Sequence, residues 1–71
     1  MEINKIFSER LRELRTQSGL SQAQLAQKIA IPQSSIAEWE IGKREPLATA
    51  IVKIANFFDV STDYLLGRTD V

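Results

Sequence analysis

The chain has 71 residues, contains neither Cys nor His, and balances nine Lys and Arg against nine Asp and Glu. One small domain fits this length, and the absence of Cys and His excludes disulfides, the usual zinc ligands and the commonest nucleophilic and proton-transfer side chains. The formal net charge of zero gives no bulk indication of a nucleic-acid or membrane partner. We therefore expect one domain that is not an enzyme and that holds neither a metal ion nor a cofactor.

Glycine and proline divide the chain into segments of helical length, and none of these segments shows the alternation of a strand. Asn4 is the predicted N-cap of the first helix, in which Phe7, Leu11 and Leu14 form one apolar stripe. Five helices are predicted in all, over residues 5–18, 21–29, 33–41, 47–58 and 61–67. The sequence thus predicts an all-α bundle of five short helices around one core.

The second and third predicted helices are short and separated by a turn of three residues, 30–32. The second helix has the clearest start in the chain, because Ser21 and Gln24 form a Ser-x-x-Gln capping box. The small Ala26 allows two helices that cross at a steep angle to approach closely, and Ile36 seals the angle from the third helix. This layout is that of a helix-turn-helix.

Two further helices complete the predicted bundle. Pro46 suits the first position of the fourth helix, and Ser61 caps a short fifth helix that ends at Gly67. The apolar residues of the fourth helix recur at helical spacing as Ala48, Ile51, Ala55 and Phe58. One domain over residues 1–71, with its core in residues 5–67, is the resulting prediction.

Six sequence blocks follow one another in a fixed order. They read RLRELR (10–15), GLSQ (19–22), LA (25–26), IAEWE (36–40), GKREP (42–46) and FFDVSTDYLLG (57–67). In this order they resemble the Xre or Cro/CI-like helix-turn-helix regulators, which include lambdoid phage repressors and Cro. The resemblance covers residues 7–67 and implies that the third helix lies in the major groove of DNA.

Base-reading residues follow from the resemblance, position by position. The groove-facing set is Gln33, Ser34, Ala37 and Glu38. Their chemistry suits base edges, because Gln pairs with adenine, Ser donates to either base type, Ala touches the thymine methyl and Glu accepts from cytosine N4. No arginine of this helix is expected to read guanine. Ordinary exposed helix surface is the alternative for this set, and Glu38 is equally open to a role in excluding wrong bases.

Phosphate contacts are expected on either side of the reading helix. The resemblance makes Gln22 a phosphate clamp at the start of the second helix, beside Ser21, where exposed N–H groups favour an anion. Lys43 and Arg44 follow the reading helix and are the cationic candidates, with an ordinary charged loop as the alternative.

The resemblance also implies one internal ion pair, between Arg15 and Glu40, with Arg10 as the alternative partner. We expect this pair to be structural. The chain departs from the family at Ala30, which stands where a Gly at positive φ is usual, and at Asp59, which replaces another common Gly. A left-handed conformation costs Ala about 1–2 kcal/mol, whereas Asp tolerates it better.

The function implied is sequence-specific binding of double-stranded DNA by a transcriptional regulator, with repression of a two-fold symmetric operator by a homodimer as the expected mode. The dimer surface is expected around Leu65 and Leu66 and at the end of the fourth helix. Alternatives are an antitoxin with a protein partner, a restriction-modification controller, and a protein-interaction module without DNA binding. With no signal peptide and no apolar run of about 18 residues, no membrane contact and a cytoplasmic location are expected.

Overall fold

The computed structural model describes the backbone of residues 2–71 and the side chains of residues 4–71, so Met1 of the predicted domain lies outside the described residues. The helices are α1 (Glu2–Gln17), α2 (Gln22–Ile29), α3 (Gln33–Glu40), α4 (Ala48–Phe58) and α5 (Thr62–Leu65). Turns join them, and residues 2–71 contain no strand. The predicted all-α fold of five helices is confirmed.

Two predicted helix starts are wrong. α1 begins at Glu2, so Asn4 lies within the helix and does not cap it. α4 begins at Ala48 with Leu47 as its N-cap, so Pro46 precedes the cap and is not the first helical residue. Asn and Pro both favour helix starts, but this local preference does not determine which residue is the first of the helix. The two predicted serine caps are confirmed. The side-chain oxygen of Ser21 accepts a hydrogen bond from the N–H of Gln24, and that of Ser61 accepts one from the N–H of Tyr64.

The core is formed by the inner faces of all five helices. Its fully buried large side chains are Phe7, Leu11, Leu25, Ile36, Ile54 and Leu65. Each such side chain contributes about 1.5–3 kcal/mol through its burial. The rings of Phe7 and Trp39 meet edge to face with centroids 6.1 Å apart, which joins α1 to α3. Leu65 belongs to this core, so the expectation that it lies on a dimer surface is wrong.

The predicted apolar stripe of α4 is confirmed at three of its four residues, since Ala55 is buried and Ile51 and Phe58 pack against the core half-buried. Ala48 is exposed, while Ala50, Ile54 and Ala55 are buried, with Ile51 packed against them. The prediction is therefore wrong at Ala48, and the buried face is wider than predicted because it includes Ala50 and Ile54. The interior of the helix still follows the 3.6-residue period.

The turn between α2 and α3 keeps its left-handed residue despite the side chain. Ala30 has φ 56° and ψ 47°, and its N–H donates to the carbonyl of Ala26. The N–H of Ile31 donates to the same carbonyl at 3.1 Å. Asp59 has nearly the same conformation, φ 56° and ψ 45°, at the end of α4. Ala30 and Asp59 thus both adopt the left-handed conformation that glycine usually adopts at these positions in the family.

α3 is fixed from behind, since it packs against both α1 and α2. α4 packs against α2 and α5, and α5 returns to α1. This arrangement covers the inner face of α3 and leaves its other face outermost. None of the helices within residues 2–71 is long and apolar enough to cross a membrane.

Candidate nucleic-acid interface

The two faces of α3 differ sharply in burial. Its inner face consists of the buried residues Ser35, Ile36, Trp39 and Glu40. The predicted reading residues lie on the other side, where Gln33 and Ser34 are exposed and Ala37 and Glu38 are half-buried. Residues four apart in a helix lie one turn above each other, so Gln33 lies beside Ala37 and Ser34 beside Glu38. The structure therefore brings all four predicted readers onto one outer surface.

The start of α2 presents backbone donors to solvent. The Ser21 hydroxyl oxygen accepts from the N–H of Gln24 at 3.0 Å, and the Ser21 N–H donates to Gln24 Oε1 at 2.8 Å. This capping box leaves the Ser21 hydroxyl proton available to a further acceptor. The first N–H groups of the helix, at Gln22 and Ala23, have no partner within the helix, as at any helix start. Together with the helix dipole, these donors favour an anion here.

The side chain of Gln22 is held by the interior of the protein. It is half-buried, and its Nε2 donates to Oε1 of Glu40 at 3.1 Å. A carboxylate only accepts hydrogen bonds, so Gln22 must turn its NH₂ group toward Glu40. One N–H of that group bonds Glu40, which leaves the second N–H for any further acceptor. Sequence reasoning missed this contact, because residues 18 apart on two helices carry no local signal.

Glu40 also forms a bidentate ion pair with Arg15. Arg15 Nε lies 2.6 Å from Glu40 Oε2, and Arg15 Nη2 lies 2.9 Å from Glu40 Oε1. The side chains are 14% and 3% exposed, and Arg15 Nη1 also donates to the carbonyl of Leu20 at 2.8 Å. The hydrogen bond to Glu40 raises the pKa of Arg15, burial opposes this rise, and the Glu40 charge adds to it. Arg15 therefore stays cationic wherever the domain is folded at ordinary pH.

Arg10, the alternative partner for Glu40, binds elsewhere. Its Nη1 donates to the carbonyl oxygens of Tyr64 and Thr69, the latter at 2.7 Å. Its guanidinium lies 4.3 Å from the centre of the Tyr64 ring, and its Nη2 is 3.6 Å from Asp70 Oδ1. Arg10 thus attaches the segment after α5 to α1, and it takes no part in the interface.

The loop after α3 carries two exposed cations. The Lys43 N–H donates to the carbonyl of Glu38 at 2.9 Å, so this loop starts by turning back onto α3. The Lys43 side chain makes no ion pair with any described acidic residue. Arg44 Nη1 lies 3.4 Å from Glu38 Oε1 and 3.5 Å from the hydroxyl of Ser35. A predicted phosphate contact and a predicted base reader are therefore paired with each other.

Two serines that position α3 were not predicted. Ser35 is buried beside Arg44, and Ser8 is buried where its hydroxyl contacts the carbonyl oxygen of Trp39. The spacing held a signal for both, since Ser35 lies one turn before Trp39 and Ser8 lies three residues before Leu11. A serine on an apolar face can be buried where its hydroxyl bonds a nearby carbonyl, as Ser8 does.

Comparison with known proteins agrees with this geometry. Residues 11–65 match the family described as Helix-turn-helix, so the chain belongs to the helix-turn-helix family, and the predicted Xre or Cro/CI-like resemblance is confirmed. The chain is 42% identical over 65 residues to the HTH-type transcriptional regulator YobD of Bacillus subtilis, covering 92% of this chain and 58% of that protein. It is 38% identical over 62 residues to the cryptic phage CTXphi transcriptional repressor RstR of Vibrio cholerae, covering 87% and 55%.

Among solved structures, the chain is similar to the restriction-modification controller protein C.AhdI from Aeromonas hydrophila. The TM-score is 0.82 at 35% sequence identity, covering 92% of this chain and 98% of the controller. By contrast, the chain spans little more than half the length of YobD and RstR. The fold of a complete controller is thus matched, together with one part of each longer regulator.

Proposed function

We propose that this domain binds double-stranded DNA at specific sequences and regulates transcription, as a repressor on a two-fold symmetric operator. The observation that carries the proposal is the outer face of α3, which bears four short or flexible side chains and is covered by no other helix in residues 2–71. The inner face is locked to α1 and α2. A helix mounted in this way fits the major groove, which is about 12 Å wide. Relatives named as transcriptional regulators and as a repressor support the same function.

The base-reading roles rest on the exposed donors and acceptors of α3. Gln33 offers a carboxamide for adenine N6 and N7, and Ser34 a hydroxyl for either base type. Ala37 offers a methyl group to thymine, and Glu38 an acceptor to cytosine N4. Gln33 and Ser34 lie at the N-terminal end of α3, which is the end that reaches base edges in this class of protein.

Phosphate binding is assigned to the two edges of this surface. The N-terminus of α2, with Ser21 and Gln22, would hold one phosphate through N–H groups and needs no net positive charge. Lys43 and Arg44 would bind phosphates on the other side. Few cations are involved, so affinity should depend on salt more weakly than in strongly basic DNA-binding proteins.

We further propose that the domain acts as a homodimer. One α3 helix touches few bases, whereas a two-fold pair doubles the readout across half-sites about one helical turn apart. α4 and α5 carry the apolar surface that such a pair would bury, since Val52 and Phe57 are 48% and 40% exposed and Leu66 is half-buried. Residues 1–71 would form a single, non-enzymatic domain that works in the cytoplasm without a cofactor.

A restriction-modification controller is the second candidate function. The similarity that favours it is the match to 98% of the controller structure at 35% sequence identity. Both candidates bind operator DNA and differ in the genes that they control.

Selection of duplexes from a random pool tests the proposal. A recovered sequence with two-fold symmetry, bound as two chains per duplex, is the expected result. Arg44→Ala should then weaken binding, whereas Arg68→Ala, which removes an exposed cation from the segment after α5, should not. If the wild-type chain binds no duplex even near about 50 mM salt, the proposed function is wrong.

A further inference from the structure

Arg44 and Glu38 form an exposed ion pair, and a role for it in DNA recognition rests on the proposed DNA-binding function. The two side chains are 57% and 36% exposed, and they lie at the edge of the outer face of α3. We propose that Glu38 is a specificity-determining residue that acts through Arg44. In the free protein Glu38 holds the guanidinium, and it releases Arg44 to a phosphate only at a site that offers the carboxylate another donor.

The predicted phosphate contact of Arg44 competes with its ion pair to Glu38. Arg44 Nη1 lies 3.4 Å from Glu38 Oε1, so the guanidinium already has an anionic partner before DNA arrives. A DNA phosphate can take this guanidinium away from Glu38, because an exposed ion pair is weak. The carboxylate would then lie unpaired in a groove lined by phosphates. An anion in that position is disfavoured by like-charge repulsion and by loss of its water.

Adenine presents its N6 donor beside the N7 acceptor, and thymine and guanine present acceptors, whereas cytosine presents a donor alone and so resolves this conflict. Its N4 amino group is a donor, and a carboxylate on a reading helix accepts from it. At a site with cytosine opposite Glu38, the carboxylate exchanges Arg44 for N4, and Arg44 is released to a phosphate. At a site with thymine or guanine in that place, Glu38 meets acceptors and keeps Arg44. The phosphate contact is thereby made conditional on the base.

The ion pair should affect DNA binding strongly because the surrounding segment carries few positive charges. Between residues 22 and 46 the cations are Lys28, Lys43 and Arg44, and the anions are Glu38, Glu40 and Glu45. Glu40 is occupied by Arg15, which leaves three cations facing two anions. With so few positive charges, masking one of them removes a large share of the attraction for DNA of any sequence.

The test compares a selected operator with a duplex of unrelated sequence for wild type, Glu38→Gln, Arg44→Ala and the double variant. Glu38→Gln should raise affinity for the unrelated duplex about two- to fivefold near about 50 mM salt, which is the range that an exposed ion pair supplies. It should not raise affinity for the operator, so the ratio of the two affinities falls.

The salt dependence gives a second readout. Arg44→Ala should reduce the slope of log affinity against log salt by about 0.9 on the operator, the value of one phosphate contact, and leave the slope on the unrelated duplex unchanged. In the Glu38→Gln background, Arg44→Ala should reduce both slopes. The folded state of each variant is checked by circular dichroism.

Glu45→Gln is the matched control, because it removes the same charge from the loop that follows α3 and Glu45 pairs with no described cation. The inference is overturned if Glu45→Gln strengthens binding to the unrelated duplex as much as Glu38→Gln does. It is also overturned if Arg44→Ala reduces the salt slope on the unrelated duplex as much in the wild-type background as in the Glu38→Gln background. Either result leaves the proposed function intact, whereas loss of all duplex binding by the wild-type chain overturns both.

Discussion

Replacing Arg15 with Met would leave the most deeply buried charge of the described residues without its partner. The Glu40 side chain is 3% exposed and receives two hydrogen bonds from Arg15, at 2.6 and 2.9 Å. After the substitution, the amide of Gln22, at 3.1 Å, would be its remaining side-chain donor. An uncompensated buried carboxylate costs about 3–5 kcal/mol. Because small domains are stable by only about 5–15 kcal/mol, this loss would remove much of the stability of the fold.

The pair itself is expected to contribute little net stability. Arg15→Met and Glu40→Leu should each lower the free energy of unfolding by about 3–5 kcal/mol, and the double variant should recover most of that loss. Apolar side chains of similar volume would then fill the gap between α1 and α3. Urea unfolding followed by circular dichroism measures all four proteins, and the midpoint should fall by at least about 1 M in each single variant.

Arg68→Met is the control for these measurements. Its ion pair with Asp63 is 3.9 Å long and exposed on both sides, so its loss should change stability by less than about 0.5 kcal/mol. If Arg15→Met is equally mild, or if the losses of the two single variants simply add in the double variant, the reasoning about Glu40 is refuted.

The direction of the Arg15 pKa shift fixes the pH range of its effect. The hydrogen bond to Glu40 raises this pKa above that of the unfolded chain. A group with a raised pKa stabilises the fold fully at lower pH and loses that effect only as pH rises through the folded pKa. For arginine that range is strongly alkaline, so the protonation of Arg15 should add no slope to stability between about pH 6 and about pH 9.

Three further predictions test single positions. Gln33→Ala should weaken operator binding by about 1–3 kcal/mol and relax one base preference in a titration of single-base operator variants; an unchanged preference would exclude Gln33 as a reader. Ala30→Gly should raise the free energy of urea unfolding by up to about 1 kcal/mol, because its φ is 56°, and Asp59→Gly should gain less; a loss at Ala30 would contradict the strain argument. Gly67→Ala should lower the thermal midpoint and cost at least about 1 kcal/mol, since φ is +80° and the new Cβ would lie 2.8 Å from Ile6; a stability equal to wild type would refute this.

Local chemistry was sufficient to predict most of the fold. Ser21 and Ser61 mark helix starts because a serine oxygen satisfies a free N–H, and this cause lies within four residues of sequence. The predictions at Asn4 and Pro46 were wrong because they also rested on local preference alone. Each has a preference for helix starts, but this preference does not fix the first helical residue: α1 begins two residues before Asn4, and α4 begins two residues after Pro46.

The candidate site was only partly predictable. Helical periodicity separates the outer face of α3 from its buried face, so the surface of Gln33 follows from the sequence. The pairing of Arg44 with Glu38 and of Gln22 with Glu40 does not. Long side chains have many rotamers, and the choice among them depends on distances between helices that only the folded chain defines.

The attachment of α3 has a consequence for the DNA itself. Its C-terminal end is held by the Arg15 and Glu40 pair, by the contact of Ser8 with Trp39, and by the bond from Lys43 back to the helix. In the proposed role of α3 in the major groove, these attachments would hold the helix in place where the width or twist of the groove differs. The duplex must then supply the adjustment, and base pairs between the half-sites that touch no side chain would be selected for their ability to bend and twist.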